Sequence, residues 1–191
     1  MSRWQPNTRQ RLERAAVELF VQQGFAETTV PQITARAGLT TRTFFRHFAD
    51  KREVLFASDD EIPQLAEQFV TGAPPSCGPM TVIAQGLETV AATRFEGRLA
   101  YLRTRRAVIQ ADEGLREREL RKLSSLAEAI ERGFRQRGLD DVAALLAAQL
   151  AVTVFSVTIT RWLDQDGDQP LSGLVHDTLH ALRSIAAGPA N

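Results

Sequence analysis

Thr29-Val30-Pro31-Gln32-Ile33-Thr34-Ala35-Arg36-Ala37-Gly38-Leu39-Thr40-Thr41-Arg42-Thr43-Phe44-Phe45-Arg46-His47-Phe48 is the segment on which the reading of the fold turns. Thr29 can cap a helix, Pro31 is tolerated in a first turn, and Gln32 three residues after Thr29 completes a capping box. Val30, Ile33 and Ala37 would face inward. Gly38 breaks this helix by adopting a backbone conformation that a β-carbon resists. Ala37 is small enough to let two helices approach, and Leu39 fills the turn. Thr40 then caps a further helix carrying Phe44, Phe45 and Phe48. Two short helices joined in this way match a helix-turn-helix, whose second helix enters a DNA major groove.

Helical periodicity extends in both directions. Upstream, Leu12, Ala16, Leu19 and Phe20 form one apolar stripe. Asn7 is its expected cap, and Gly24 its terminator. Downstream, Asp50 with Glu53 is a second capping box, opening a long fourth helix toward Phe69 that Pro63 would kink. The stretch from Thr71 to Pro79 reads as a loop. Helices are predicted near 80–95, 97–110, 113–137, 139–164 and 170–187, with a polar turn over Asp164 to Pro170. The chain is expected to be all-α with about nine helices. A three-helix helix-turn-helix domain over 1–52 would be followed by a larger helical domain over 53–191.

The 191 residues carry 23 Lys+Arg and 23 Asp+Glu, a formal net charge of zero. Taken whole, that argues against a nucleic-acid partner. Mapped along the chain it does not. Residues 1–52 hold nine bases and four acids, a net +5, so residues 53–191 hold 14 bases and 19 acids, a net −5. A basic head on an acidic body is the charge pattern of a segment with an anionic partner. The single cysteine, Cys77, excludes an intramolecular disulfide. No apolar stretch is expected to reach the roughly 20 residues that span a bilayer. The first residues lack the apolar core of a signal peptide, so a cytoplasmic protein without membrane contact is expected. No nucleophile–base pair, phosphate loop or zinc-protease motif occurs, which argues against an enzyme and against a cofactor.

The stretch from Gly24 to Leu55, with the helix upstream of it, resembles the DNA-binding signature of the tetracycline-repressor (TetR) family over about residues 8–56. The resemblance implies a homodimeric, ligand-responsive transcriptional regulator. Such a protein, most often a repressor, binds double-stranded, pseudo-palindromic operator DNA and is released by a small molecule. Two other readings stay open: a DNA-binding module controlled by a protein partner, and a helical small-molecule carrier or enzyme. The expected DNA-binding residues are Thr29, Arg36, Thr40, Thr41, Arg42, Thr43, Phe45, Arg46, His47 and Lys51. Of these, Thr29, His47 and Lys51 fall where the family usually touches phosphates. Phe45 stands where the family most often has Tyr, and Arg42 replaces a commoner Gly. Arg42 has the chemistry for bidentate contact with guanine. Arg3, Arg9 and Arg11 are expected to reach the DNA backbone or minor groove.

For the body, the resemblance implies a ligand-binding and dimerisation domain, with the helices near 139–164 and 170–187 forming the dimer interface. Both are more apolar than one buried stripe requires. Ala143, Ala144, Ala147, Ala148 and Ala151 permit close helix approach. Phe69, Phe95, Tyr101, Phe134, Phe155, Thr158 and Trp162, large or polar-tipped residues on the middle helices, are the candidates for an effector pocket. Each is also the kind of residue that fills an ordinary core.

Overall fold

A computed structural model describes residues 8–56, 59–95, 97–165 and 169–187. Asn7 and Arg3, and the centre of the turn expected at 164–170, lie outside the described residues. Among the described residues there are ten α-helices, one π-helical turn and no strand. The helices are α1 (Thr8–Gln23), α2 (Val30–Arg36), α3 (Thr41–Phe45), α4 (Glu53–Phe56), α5 (Ile62–Gly72), α6 (Pro79–Val90), α7 (Leu99–Gln110), α8 (Glu113–Gln136), α9 (Asp141–Asp164) and α10 (Leu171–Ala187). The π turn, Ala91–Phe95, continues α6.

The expected fourth helix is two helices, which raises the count from nine to ten. Pro63 does not kink a continuous helix; it lies in the first turn of α5, where its missing N–H leaves no backbone bond unmade. Elsewhere the punctuation is as expected. Gly24 ends α1 at φ +84° and Gly138 ends α8 at φ +92°. Asp140 caps α9 by accepting from the Ala143 amide at 2.8 Å.

The chain divides into two compact units. One comprises Met1–Asp60 with Arg103–Leu120, the other Glu61–Leu102 with Arg121–Asn191. Helices α7 and α8 contribute residues to both.

In the first unit the buried side chains include Leu12, Ala16, Leu19 and Phe20 from α1, Ile33 from α2, Phe44 from α3, and Val54, Leu55 and Phe56 from α4. Val108, Ile109 and Leu115 are buried in the segment that joins them from α7 and α8. Helices of seven and five residues are too short to persist alone. Burial of Ile33 and Phe44, roughly 1.5–3 kcal/mol each, holds them instead. Two arginines tie α4 to the later segment. Arg105 donates to the Leu55 carbonyl (2.8 Å) and pairs with Asp59 (2.6 Å). Arg118 pairs with Glu53 and, at 3.4 Å, with Asp50.

The second unit has two apolar clusters. One centres on Val70, Val82, Ile83, Ile130, Phe134, Val154 and Val175 with the alanines of α9; the other on Leu102, Trp162, Leu163, Leu171 and Leu174. The loop after α5 is fixed by Arg137, whose guanidinium donates to the carbonyls of Val70, Ala73, Pro74 and Cys77. Contrary to the sequence expectation, one apolar stretch is long enough to cross a bilayer by length and composition: α9. Its buried side is the core already named, and its other side leaves Val142, Leu145, Leu146 and Val157 exposed.

Among these charges Glu119 on α8 stands apart. Burial pushes its carboxyl above the ordinary value, against the opposing pull of Arg105 and Arg106. The folded chain therefore holds this proton more tightly than the unfolded chain. Its destabilising effect develops as pH rises through the ordinary Glu value, about 4, and is complete above the raised folded value. Glu119→Gln, neutral at every pH, is expected to be more stable than the wild type at pH 7, with the gap closing toward about pH 4. Equal unfolding free energies at pH 7 in urea titrations would reject this.

Candidate nucleic-acid interface

The geometry of α2 and α3 is set by local hydrogen bonds. Thr29 Oγ1 accepts from the Gln32 amide (3.4 Å), and Gln32 Oε1 accepts from the Thr29 amide (2.8 Å), so the capping box closes in both directions. Gln23 Nε2 donates to the same Gln32 oxygen at 3.1 Å, tying the box to α1. Gly38 turns the chain at φ +63°. The Leu39 amide then returns to the Thr34 carbonyl at 2.8 Å. Thr40 caps α3 by accepting from the Thr43 amide at 3.2 Å, and the two threonine hydroxyls lie 2.9 Å apart.

Arg11 holds this turn. Expected to extend toward nucleic acid, its guanidinium instead donates to the Ala37 carbonyl at 2.6 Å. That carbonyl sits at the negative end of α2, where a cation is favoured. The contact also explains why position 38 suits glycine beyond its positive φ. A β-carbon there would lie 3.2 Å from Arg11 Nη2.

With the turn fixed, α3 has two faces. Phe44 is fully buried and stacks at 5.3 Å on Phe48, itself buried. On the other face Thr40, Thr41, Arg42, Phe45 and Arg46 are exposed, Phe45 at 56%. The guanidinium groups of Arg42 and Arg46 have no ion-pair or hydrogen-bond partner among the described residues. Thr43 and His47 are half-buried beside them. The face thus presents two unneutralised guanidinium groups, a hydroxyl and an aromatic edge. That is the donor and apolar inventory that suits phosphates, guanine edges and thymine methyls.

The structure separates the other expected contact residues from this group. Lys51 Nζ donates to three carbonyls, those of Phe25 (2.6 Å), Ala26 (3.3 Å) and Thr28 (2.7 Å), and lies 4.1 Å from the Phe25 ring centre. All three of its donors are committed. Burial pushes its ammonium below the ordinary lysine value, opposed by the Asp112 and Glu27 carboxylates and reinforced by Arg52. Arg36 donates to Gln22 (2.9 Å) and to Glu18 (3.4 Å). Arg14, bonded to Glu18 at 2.9 Å, and then Arg36 hold that carboxyl below its ordinary value. Arg9 pairs with Glu13 at 3.1 Å, its guanidinium 5.9 Å from the Phe48 ring centre. The i, i+4 spacing of Arg9 with Glu13 does signal its pair; that of Lys51 and Arg36 carried no such sign, because their partners lie in another turn or on another helix.

In the second unit, Phe95, Phe155 and Thr158 come together around a small cavity completed by Leu87, Val90, Ala91, Ile159, Leu171 and Val175. The other four pocket candidates lie elsewhere. Trp162 stacks edge-on behind Phe95 at 6.3 Å, and Tyr101 packs on the same cluster under Arg98. Phe134 is fully buried in the other cluster, and Phe69 lies against Gly86.

Comparison with known proteins adds three findings. The family described as bacterial regulatory proteins, tetR family, matches residues 13–57. The HTH-type transcriptional regulator TcmR of Streptomyces glaucescens is 35% identical over 92 residues, 48% of this chain and 41% of TcmR. SrpR of Pseudomonas putida is 48% identical over 50 residues, 26% of this chain and 24% of SrpR. The match thus spans less than half the length of these curated relatives. Among solved structures, the SmeT–triclosan complex superposes with a TM-score of 0.63 at 22% identity, covering 91% of this chain and 90% of that one. FadR from Bacillus subtilis in complex with stearoyl-CoA gives 0.57 at 19%, covering 92% and 97%. At these identities the likeness is one of fold.

The internal role of Arg11 is testable. Arg11→Ala removes a charged donor from a helix-end carbonyl and is expected to lower stability by about 1.5–3 kcal/mol. The dependence of DNA affinity on salt should keep the wild-type slope, since no phosphate loses a partner. A slope shallower by about one unit would make Arg11 a phosphate contact after all.

Proposed function

We propose that the chain, whose residues 13–57 match the family described as bacterial regulatory proteins, tetR family, is a homodimeric transcriptional repressor of that family. It binds a pseudo-palindromic operator through α3 and leaves it when a small molecule binds the second unit. The observation that carries the DNA-binding part is the free face of α3. Arg42 and Arg46 are unneutralised and stand beside Thr41 and Phe45 on a helix whose opposite side is locked into the core. In this reading Arg42 reads a base edge, while Thr29, Thr40, Thr43, Arg46 and His47 hold phosphates. Lys51 and Arg36 act one step back, fixing the frame from which those residues project. Phe45 offers thymine an apolar edge without the phosphate hydrogen bond that a Tyr would make.

Dimerisation is supported by the apolar surface that α9 and α10 leave uncovered. Val142, Leu145 and Leu146 are exposed by 67%, 45% and 57%, and Ile185 by 80%. Large apolar side chains left exposed on two helices that pack together support an interface there. A dimer is also what a pseudo-palindromic operator requires, since its half-sites lie about one turn, ~34–36 Å, apart. The effector part is supported by the cavity in the second unit. SmeT and FadR, which share the fold, were solved with triclosan and stearoyl-CoA. What carries over is the capacity for a small molecule, not either compound. Release follows if the effector binds the DNA-incompetent state more tightly than the competent one. Control by a protein partner is the second reading, favoured by the small size of the cavity. A thermal-shift screen of metabolites and drugs separates the two, since a ligand of the folded state raises its melting temperature.

Two variants test the proposal. Arg42→Ala should cost about 1–3 kcal/mol at the preferred duplex and relax preference at one position per half-site. An equal loss on every sequence would demote it to a phosphate contact. Leu146→Glu should turn a dimer into a folded monomer in sedimentation velocity at micromolar concentration, with a large loss of operator affinity. A wild-type chain that sediments as a monomer would remove the dimer from the proposal.

A further inference from the structure

The cavity in the second unit has a definite chemistry. Nine residues line it: Leu87 and Val90 of α6, Ala91 and Phe95 of the π turn, Phe155, Thr158 and Ile159 of α9, Leu171 and Val175 of α10. Eight are apolar and none is charged. Phe155, Thr158 and Ile159 recur at i, i+3, i+4, so they form one continuous strip on α9. Phe95 meets Phe155 nearly edge-on, with ring centres 5.9 Å apart, so two aromatic rings form one corner.

Thr158 is the exception. It is 1% exposed, and its hydroxyl is buried without a hydrogen-bond partner. Threonines in helices ordinarily satisfy this group by donating back to a carbonyl one turn earlier. Four threonines of this unit do so: Thr71 to Glu67 (3.0 Å), Thr89 to Gln85 (2.7 Å), Thr93 to Thr89 (2.7 Å) and Thr178 to Leu174 (2.8 Å). Thr158 alone among these five leaves a buried hydroxyl unsatisfied, which is destabilising in an apolar setting. The orphan sits on the wall of the cavity, beside a π turn, a distortion that recurs at functional sites.

We propose that this cavity is the effector subsite and that it takes a neutral aromatic group bearing one hydrogen-bonding oxygen, which pairs with Thr158 Oγ1; phenols and aryl alcohols are the class. The proposal rests on reading the second unit as the effector domain. A carboxylate or phosphate is excluded from this subsite because nothing in the lining would compensate its lost hydration. An alkylbenzene fits the apolar walls but leaves the hydroxyl unsatisfied. The cavity is no larger than one water molecule as it stands, so binding requires Phe95 and Phe155 to part.

The test uses the full chain and three probes of matched shape: 4-propylphenol, 4-propyltoluene and 4-propylbenzoate. Calorimetry should show the phenol binding about ten-fold more tightly than the toluene, and the benzoate weakest. Thr158→Val, which keeps the shape of the side chain, should abolish the phenol's advantage without weakening the toluene. Its melting temperature should match or exceed the wild type's, because an unsatisfied group has gone. Thr158→Ser should keep the preference for phenol. Equal affinity for phenol and benzoate, a phenol preference that survives Thr158→Val, or binding of none of the three overturns the proposal. A parallel measurement follows release of a duplex selected by the protein from a random pool. Phenol binding with the expected preference but no release would sustain the subsite chemistry and sink the effector reading. Release by benzoate alone would do the reverse.

Discussion

The hydrogen bond from Arg11 to the Ala37 carbonyl ties α1 to the end of α2, at the turn from which the exposed face of α3 projects. It joins a cation on α1 to the negative end of α2 and passes directly over Gly38. The helices on either side are too short to hold their own geometry. Capping at Thr29 and Thr40, the return of Leu39 to Thr34, and the burial of Ile33, Phe44 and Phe48 all act around this one contact. Lys51 performs the same service at the other turn, clamping three carbonyls between α1 and α2. The basic head is therefore basic for two reasons. Some of its cations build the scaffold, and others are left unpaired on its surface.

The same division of labour runs through the first unit. Arg105 and Arg118 sit in α7 and α8, far along the chain, yet each pairs with carboxylates at or near α4. Partly buried ion pairs of this kind contribute little net stability but strongly penalise any arrangement that leaves one partner alone. They specify where the later segment attaches. Glu119, surrounded by these charges and raised by burial, is the member of the set whose ionisation opposes folding.

In the second unit the apolar surplus of α9 is the organising fact. One side of the helix supplies alanines to a tightly apposed core; the other supplies Val142, Leu145, Leu146 and Val157 to solvent. A helix apolar all round is buried on both sides in its working state. Length and composition alone make it equally a candidate membrane span. Its partition between a packed core face and an open apolar face is the feature on which the proposed dimer rests.

Helix placement, the helix-turn-helix and the location of its punctuation were legible from single residues, because caps, left-handed glycines and apolar spacing are local physics. Thr29, Gln32, Gly38 and Thr40 do in the structure what their types dictate. The break between α4 and α5 was not legible, since Pro63 suits a helix start as well as a kink. Nor could spacing separate Arg42 and Arg46 from Lys51 and Arg36. All four are basic residues in one motif, and only the fold shows which have carbonyls or carboxylates within reach. Of the seven proposed pocket residues, Phe95, Phe155 and Thr158 converge while Phe69, Tyr101, Phe134 and Trp162 fill core. An aromatic side chain looks the same to the sequence in either place. Sequence alone thus determined the helices and the charge of the head, which depend on neighbours within about one turn of the chain. Tertiary structure decided which donors are free and which hydroxyl is orphaned, because satisfaction of a polar group depends on atoms brought near it only by folding.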